Sequence, residues 1–390
     1  MTDKVVICGS ARTPIGGFMG ELSGVTASDL GAVAIRAAVE CARVPMQDVG
    51  ELIMGNCLFA GQGQAPARQA GRKAGLPDAA GATTLSKMCG SGMKSIMLGR
   101  DMLLAGSQDV VVAGGMESMS NAPYIVPKAR RGHRLGHGTL VDHMLLDGLE
   151  DAYESGKLMG HFAEDCARHF QFTREEQDAY ALLSLSRARD AQGSGYFYAE
   201  ITPVSVGERE ITSDEQPRRA DSAKIPSLKP AFSKDGTVTA ANSSSISDGA
   251  AAVVLARESY ALEHGLAVEA RIVGHSTFAQ EPAWFSTAPI GAIRTLCARI
   301  GWAVGDVDLF EINEAFAVVV MAAMKELGLP REKVNVFGGA CALGHPIGAS
   351  GARVVVTLLN ALKQKGKKRG IACLCIGGGE ATAVAVEMIG

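Results

Sequence analysis

The sequence is short of several things, and each shortage removes a class of function. Neither charge is in excess: 38 Lys and Arg stand against 41 Asp and Glu, a formal net charge of −3. No global basic field is therefore available for nucleic acid. No uncharged apolar stretch approaches the ~18 residues that cross a bilayer, so no membrane partner is expected. The opening residues, MTDKVVICGSARTPIGG, lack a charged segment followed by a long apolar core, and no signal peptide is expected. Nine cysteines are odd in number and include no C-x-x-C pair, which argues against a disulfide framework. Free thiols point instead to a reducing, cytoplasmic location. A G-X-Y period is missing and 47% of residues are hydrophobic, so collagen-like and disordered chains are excluded.

What the chain has in plenty is glycine, 47 of 390 residues against a usual ~7%. Glycine in an otherwise globular composition marks tight turns, close backbone approaches and loops that cradle a ligand. At ~150 residues per domain, the length suggests two or three units.

Short apolar runs at residues 4–7, 51–54, 109–113, 308–312 and 370–376 read as buried strands. Ala-rich stretches at 28–42, 93–105, 289–300 and 350–365 read as helices. The alternation predicts an α/β fold. The chain also repeats itself. Ile35-Arg36, Asp48-Val49 and Asn56 recur in order as Ile293-Arg294, Asp306-Val307 and Asn313. Ser91-Gly92 matches Ser350-Gly351, and VVVAGGME ending at Glu117 matches IACLCIGGGE ending at Glu380. Residues 1–118 and 250–390 are therefore expected to be two copies of one α/β half. Residues 119–249, with a charged helical run at 173–191 and a polar stretch at 208–230, are expected to form an inserted lid or binding domain.

Four clusters can carry chemistry. Cys89, in SKMCGSGMKSIML, reads as a thiol at a helix N-terminus, where free amides would lower its pKa and favour thiolate. It reads equally as a small residue at a close-packed turn. His345, in GGACALGHPIGASGAR, is a lone histidine between Gly and Pro, which alone suggests a structural role. The duplication, however, makes its loop the counterpart of the Cys89 loop and sets a base beside a thiol. Cys375, in CIGGGEA, ends a buried strand ahead of three glycines whose N–H groups could form an oxyanion site. Cys373 shares its strand face, but Cys375 is nearer the strand's mouth. Asn313, in NEAF, could hold a water or polarise a carbonyl at a strand end, or Asn-Glu could simply cap the next helix. Spacings of 89, 345 and 375 match no zinc module, and no metal is expected.

Taken together, RTPIGGFMGEL, the Cys89 block, NEAF, GGACALGHPIGASG and CIGGG resemble the thiolase family over nearly the whole chain, nearest to its bacterial acetyl-CoA acetyltransferase branch. The resemblance implies a thiolase fold, two duplicated α/β halves packed as a five-layered αβαβα core with an inserted loop domain. It implies reversible condensation of two acetyl-CoA to acetoacetyl-CoA and CoA through an acyl-cysteine. Coenzyme A and acetyl-CoA would be substrates, with no tightly bound cofactor.

By the same resemblance, Cys89 is the nucleophile, His345 takes its proton, and Cys375 is the acid/base for the α-proton. Asn313 holds a water at the enolate oxygen, and the N–H groups of Cys89 and Gly377 receive the oxyanion. Arg218 and Ser244 would meet coenzyme A, Met159 and Phe316 would line the acyl pocket, and ARRGHRL (129–135) would be a loop of a homotetramer, a dimer of dimers. The chain departs from the family at Phe337, Leu158, Trp284 and Glu380-Ala381, so a longer-chain 3-ketoacyl-CoA thiolase is a competing expectation. A non-catalytic acyl-CoA-binding or thiol-redox protein on the same fold is a third.

Overall fold

Strands made of continuous Val, Ile and Ala need cover on both faces, and the architecture supplies it with helices on each side. The computed structural model describes residues 3–389. The first half runs β1 (Val5–Arg12), α1 (Ala27–Ala42), β2 (Glu51–Gly55), α2 (Pro66–Ala74), β3 (Gly81–Leu85), α3 (Ser91–Leu104) and β4 (Val110–Ser118). The insertion then contributes α4 (Met159–Phe170) and α5 (Arg174–Gly193) before β5 (Ser247–Arg257) returns to the sheet. The second half runs β6 (Ala270–Ala279), α6 (Ala288–Ile300), β7 (Leu309–Ile312), α7 (Ala317–Leu327), α8 (Ile347–Gln364), β8 (Arg369–Ile376) and β9 (Glu380–Met388).

The pairing in the two halves corresponds strand for strand. In the first, β3 and β4 flank β2 in parallel, β5 pairs antiparallel with β4, and β1 pairs antiparallel with β5. In the second, β7 lies parallel to β8, β9 antiparallel to β8, and β6 antiparallel to β9. Phe310 bridges in parallel to Val334 where β3 would stand. Among the described residues, two pairs, Val6 with Arg271 and Ile7 with Ala270, join β1 to β6, so the two sheets meet at one corner. Just beyond that seam each strand carries a register shift, between Ile7 and Gly9 and between Ile272 and Gly274.

Alternate side chains sort into three cores. Val111, Ala113, Ala372 and Leu374 point into the space between the sheets, which α3 and α8 fill. Val110 and Val112 face α1 and α2, while Ile371, Cys373 and Cys375 face α6 and α7. The result is five layers. In the middle layer α3 and α8 touch through backbone. A Cβ on Gly351 would lie 2.3 Å from the Met93 amide nitrogen, and one on Gly92 2.7 Å from that of Ala352. Only glycine fits there.

Two expectations change. The second half does not begin at residue 250, because that position lies inside β5, which completes the first sheet between β4 and β1. Strand order along the chain does not show which sheet a strand after a long insertion will close. Nor does Glu117 match Glu380. Gly55 stands opposite Gly115 and Ile312 opposite Cys373, so two residues further on Glu117 occupies the place of Cys375. Within the insertion, the charged helical run is α5. It opens with a capping box: Glu176 N–H donates to Thr173 Oγ1 at 3.2 Å and Thr173 N–H to Glu176 Oε2 at 2.8 Å.

Candidate active site

The turn between β3 and α3 is wound tightly around Ser91. Its hydroxyl accepts from the Lys87 N–H at 2.8 Å and donates to the Met88 carbonyl at 2.7 Å. Met88 is held at φ 46, in the left-handed region that a residue with a Cβ seldom adopts. Cys89 therefore sits just ahead of α3 rather than within it, half-buried, with the N–H groups of Gly377 and of Cys89 itself near enough to favour its thiolate form. The buried Cys57 thiol braces the turn, 3.2 Å from both Ser91 Oγ and the Met88 carbonyl.

Gly377 comes from the other half, in the hairpin between β8 and β9. Ile376 pairs with Glu380 and Cys375 with Ala381, leaving residues 377–379 as the loop. Cys375 is buried and close enough to Cys89 for the Cys89 sulfur to disfavour its ionisation. A Cβ on Gly90 would strike the Ile376 side chain at 2.4 Å, so the two loops are in direct contact.

His345 and Asn313 are tied to the same place. The Asn313 N–H donates to the Cys373 carbonyl at 2.9 Å, two residues before Cys375. Its Nδ2 lies 3.5 Å from His345 Nδ1, and its Oδ1 accepts from Arg353 Nη2 at 3.2 Å. The His345 backbone N–H faces Ser245 O and Ser247 Oγ. Ser350 Oγ donates to the Pro346 carbonyl at 2.8 Å, so its 2.6 Å contact with His345 Nδ1 is an Nδ1–H donor bond. That tautomer leaves Nε2 as a bare acceptor, and Nε2 is buried without a partner. Among the described residues, this ring nitrogen is thus a buried base without a proton.

Comparison with known proteins agrees along the full length. The model of the thiolase N-terminal domain matches residues 5–259 and that of the thiolase C-terminal domain residues 266–388. The chain belongs to the thiolase family. The junction between the two matches falls after β5, in line with the sheet pairing. "Acetyl-CoA acetyltransferase 2" of Arabidopsis thaliana is 50% identical over 99% of this chain and 97% of its own. "Acetyl-CoA acetyltransferase" of Pseudomonas aeruginosa is 47% identical over 97% and 98%. A thiolase of Ascaris suum solved in complex with coenzyme A superposes with a TM-score of 0.95 at 43% identity, covering 99% of this chain and 100% of that one.

Burial dominates the electrostatics of this thiolase centre. Desolvation pushes the Cys89 thiol up to about 11, against the smaller lowering effect of the Gly377 and Cys89 amides. The expectation of a lowered pKa is therefore corrected: the local motif shows the donors but not the depth of burial. Burial, helped by the Arg353 cation, drives His345 down to about 3, so its ring is neutral. Cys375 lies well above the ordinary thiol value, chiefly through burial and then through Cys89. At neutral pH the centre holds two thiols and an uncharged imidazole.

Met159 lies beside the Gly377 loop, and Phe316 shares an apolar cluster with Met159 and Cys375. A Cβ on Gly377 would meet Met159 Sδ at 3.4 Å, and Phe316 packs edge-on to Phe232 at 6.0 Å and Phe285 at 6.4 Å. Ser244 donates from both N–H and Oγ to the Ala315 carbonyl, 3.0 Å each. Beside it a cavity of about 270 Å³ runs past Ser245, Cys341 and Ala342 to Gln216 and Ala220. Arg218 does not line this cavity: it is exposed and paired with Glu21 at 2.5 Å. A larger cavity, about 760 Å³, opens between Cys41, Glu269 and Lys363 and contains none of these residues.

Phe337 stacks on Tyr196 at 5.1 Å and Trp284 packs against His169 at 5.1 Å, whereas Glu380 directly follows the glycine loop 377–379. Leu158 precedes α4, where its N–H donates to His161 Nδ1 at 3.1 Å. Glu314 does not cap α7, as the bland reading of NEAF had it. Its carboxylate accepts from Tyr180, Ser184, Asn335 and the Cys341 N–H.

Sequence reasoning missed the supports. Arg353 pairs with buried Glu311 at 2.7 Å and orients Asn313. Both charges interrupt otherwise apolar elements, and that was the available signal. Glu117, in the place of Cys375, accepts from Asn56 Nδ2 at 2.6 Å and from the N–H groups of Cys57, Leu58 and Gly348 at 3.0, 3.1 and 2.8 Å. The second copy of the site is thus filled by a carboxylate.

A thiol at about 11 has a testable signature. Alkylation of Cys89 by iodoacetamide, followed by peptide mass spectrometry, should keep accelerating from pH 7 through pH 10. A plateau below pH 9 would show that the amides outweigh burial.

Proposed function

We propose that the protein is an acetyl-CoA C-acetyltransferase, joining two acetyl-CoA into acetoacetyl-CoA and CoA, reversibly and with ping-pong kinetics. The observation that carries the reading is the unpartnered His345 Nε2 in a buried centre that also holds two thiols and a backbone donor pair. Cys89 attacks the thioester carbonyl of the first acetyl-CoA as its proton passes to His345 Nε2. The departing CoA thiolate takes the proton of Cys375. Acetyl-Cys89 remains, with a Cys375 thiolate and a protonated His345 held as an ion pair.

The second half-reaction uses what the first leaves behind. A thioester α-proton is weakly acidic, and a thiolate whose conjugate acid sits well above the usual range is a correspondingly strong base. Cys375 takes the α-proton. His345 Nε2–H, with a water on Asn313, stabilises the enolate oxygen. The enolate carbon attacks acetyl-Cys89, the N–H groups of Cys89 and Gly377 receive the tetrahedral oxyanion, and Cys89 leaves to recover its proton from His345. All three groups return to their starting state.

Met159 and Phe232 pack with Phe285 and Phe316 in one apolar cluster, and rigid rings there favour a short acyl group over the longer-chain alternative. Purified enzyme should therefore cleave acetoacetyl-CoA with CoA at a higher kcat/KM than the eight-carbon 3-ketoacyl-CoA; the reverse order would assign the longer-chain activity. Cys89→Ala should form no acetyl adduct by mass spectrometry. Cys375→Ala should still form the adduct but fail to exchange the α-proton of acetyl-CoA in deuterated water. Equal loss of both steps would remove the division of roles.

We also read the protein as a cytoplasmic homotetramer. The loop between the paired strands Tyr124–Ile125 and Val141–Asp142 exposes Leu135 almost fully, along with Tyr124, Val126 and Leu140. Apolar side chains grouped on one loop fit a contact between copies. Light scattering should give four chains per particle, falling to two when residues 129–138 are replaced by a Gly-Ser linker. A wild-type monomer would refute the assembly, and cell fractionation checks the compartment.

A further inference from the structure

Residues 377–379 are three glycines in a row, with Gly378 at φ 94 and Gly379 at φ 87. Glycine loses more conformational freedom on ordering than any other residue, so this hairpin is poorly restrained by its own backbone. Yet the Gly377 N–H has to meet Cys89 sulfur, and a donor at a reaction centre works only if held within roughly 0.5 Å. Restraint has to come from outside the loop. One source is local to the second half: the Gln280 N–H donates to the Gly379 carbonyl at 2.8 Å. The other crosses to the first half, where Lys87 forms an ion pair with Glu380.

The two ends of that ion pair are placed symmetrically about the contact they span. Lys87 stands two residues before Cys89, in the turn wound around Ser91, and its own N–H is part of that winding. Glu380 stands directly after the glycines and pairs with Ile376 across the hairpin. They are 293 residues apart in the chain. Their side chains are 22% and 33% exposed, so the pair is shielded from salt better than a surface pair. Neither residue touches the reacting atoms.

We propose that the ion pair between Lys87 and Glu380 is a positioning device that holds the Gly377 donor against the nucleophile turn. The proposal rests on the acetyltransferase reading for its effect on turnover, but its first readout needs no substrate. In Glu380→Gln two effects oppose each other at Cys89. Loss of the carboxylate leaves the Lys87 cation alone, and charge alone would favour thiolate and speed alkylation. Loss of the Gly377 N–H would instead disfavour thiolate and slow it.

The expected result is slower alkylation of Cys89 by iodoacetamide at pH 8, by about threefold, equivalent to a rise of roughly half a pKa unit. Turnover with acetoacetyl-CoA and CoA should fall about tenfold with KM nearly unchanged, because the donor acts on the transition state. The charge-swapped double variant Lys87→Glu with Glu380→Lys should regain most of that turnover. It also serves as the test should Glu380→Gln fold poorly. Alkylation of Glu380→Gln that is faster than wild type or equal to it overturns the proposal, as does kcat within twofold. If wild type itself shows no thiolysis, the function fails, while the alkylation rates still decide the role of the ion pair.

Discussion

The centre of the molecule depends on how closely α3 and α8 can approach. Each helix begins at one of the two chemical loops, α3 after Cys89 and α8 after His345, and each lies in the middle layer against both sheets. Gly92 and Gly351 let backbone meet backbone where any side chain would force the helices apart. Because the contact is rigid and central, the loops at the two N-termini inherit their relative position from it. The same logic holds at Gly115, where a Cβ would lie 2.0 Å from the Gly348 carbonyl. Small residues in the core thereby place reactive groups at its rim.

Burial then decides the resting chemistry. Low local dielectric disfavours every charged form, so thiol and imidazole both stay neutral although a thiolate–imidazolium pair is the familiar arrangement for an activated cysteine. In the proposed reaction, charge separation becomes favourable when a carbonyl oxygen takes up the N–H groups of Cys89 and Gly377. Arg353 contributes in two ways: it holds Asn313 by Oδ1 and helps keep His345 unprotonated. Its guanidinium donates to Glu311 at 2.7 Å, a carboxyl that burial pushes up despite the arginine.

Much of this was legible in the sequence because the reactive residues sit in loops dense with glycine, where composition alone marks a special backbone. Cys89, His345 and Cys375 each stand in such a block, whereas Asn313 ends an apolar strand without glycine, and the internal repeat brings these segments together. The supports were not legible. Arg353 meets Glu311 from 42 positions away, and Cys57 braces Ser91 from 34 positions away. Neither distance leaves a local pattern. The repeat also misled at Glu117, because matching letters favoured Glu380 while the strand register selects Cys375. Burial depth, which reverses the sign of the Cys89 shift, is a property of layers and not of a motif.

The carboxylate of Glu117 has a consequence for how a duplicated protein divides its labour. Two equivalent halves would offer two equivalent clefts, each borrowing a loop from the other. Here one cleft is stitched shut: four donors, three from the loop after β2 and one from the start of α8, converge on a single side chain. One of those donors, the Gly348 N–H, lies three residues past His345. The closed copy therefore anchors the open one, and an ancestral symmetry survives as a hinge pin for a single working face.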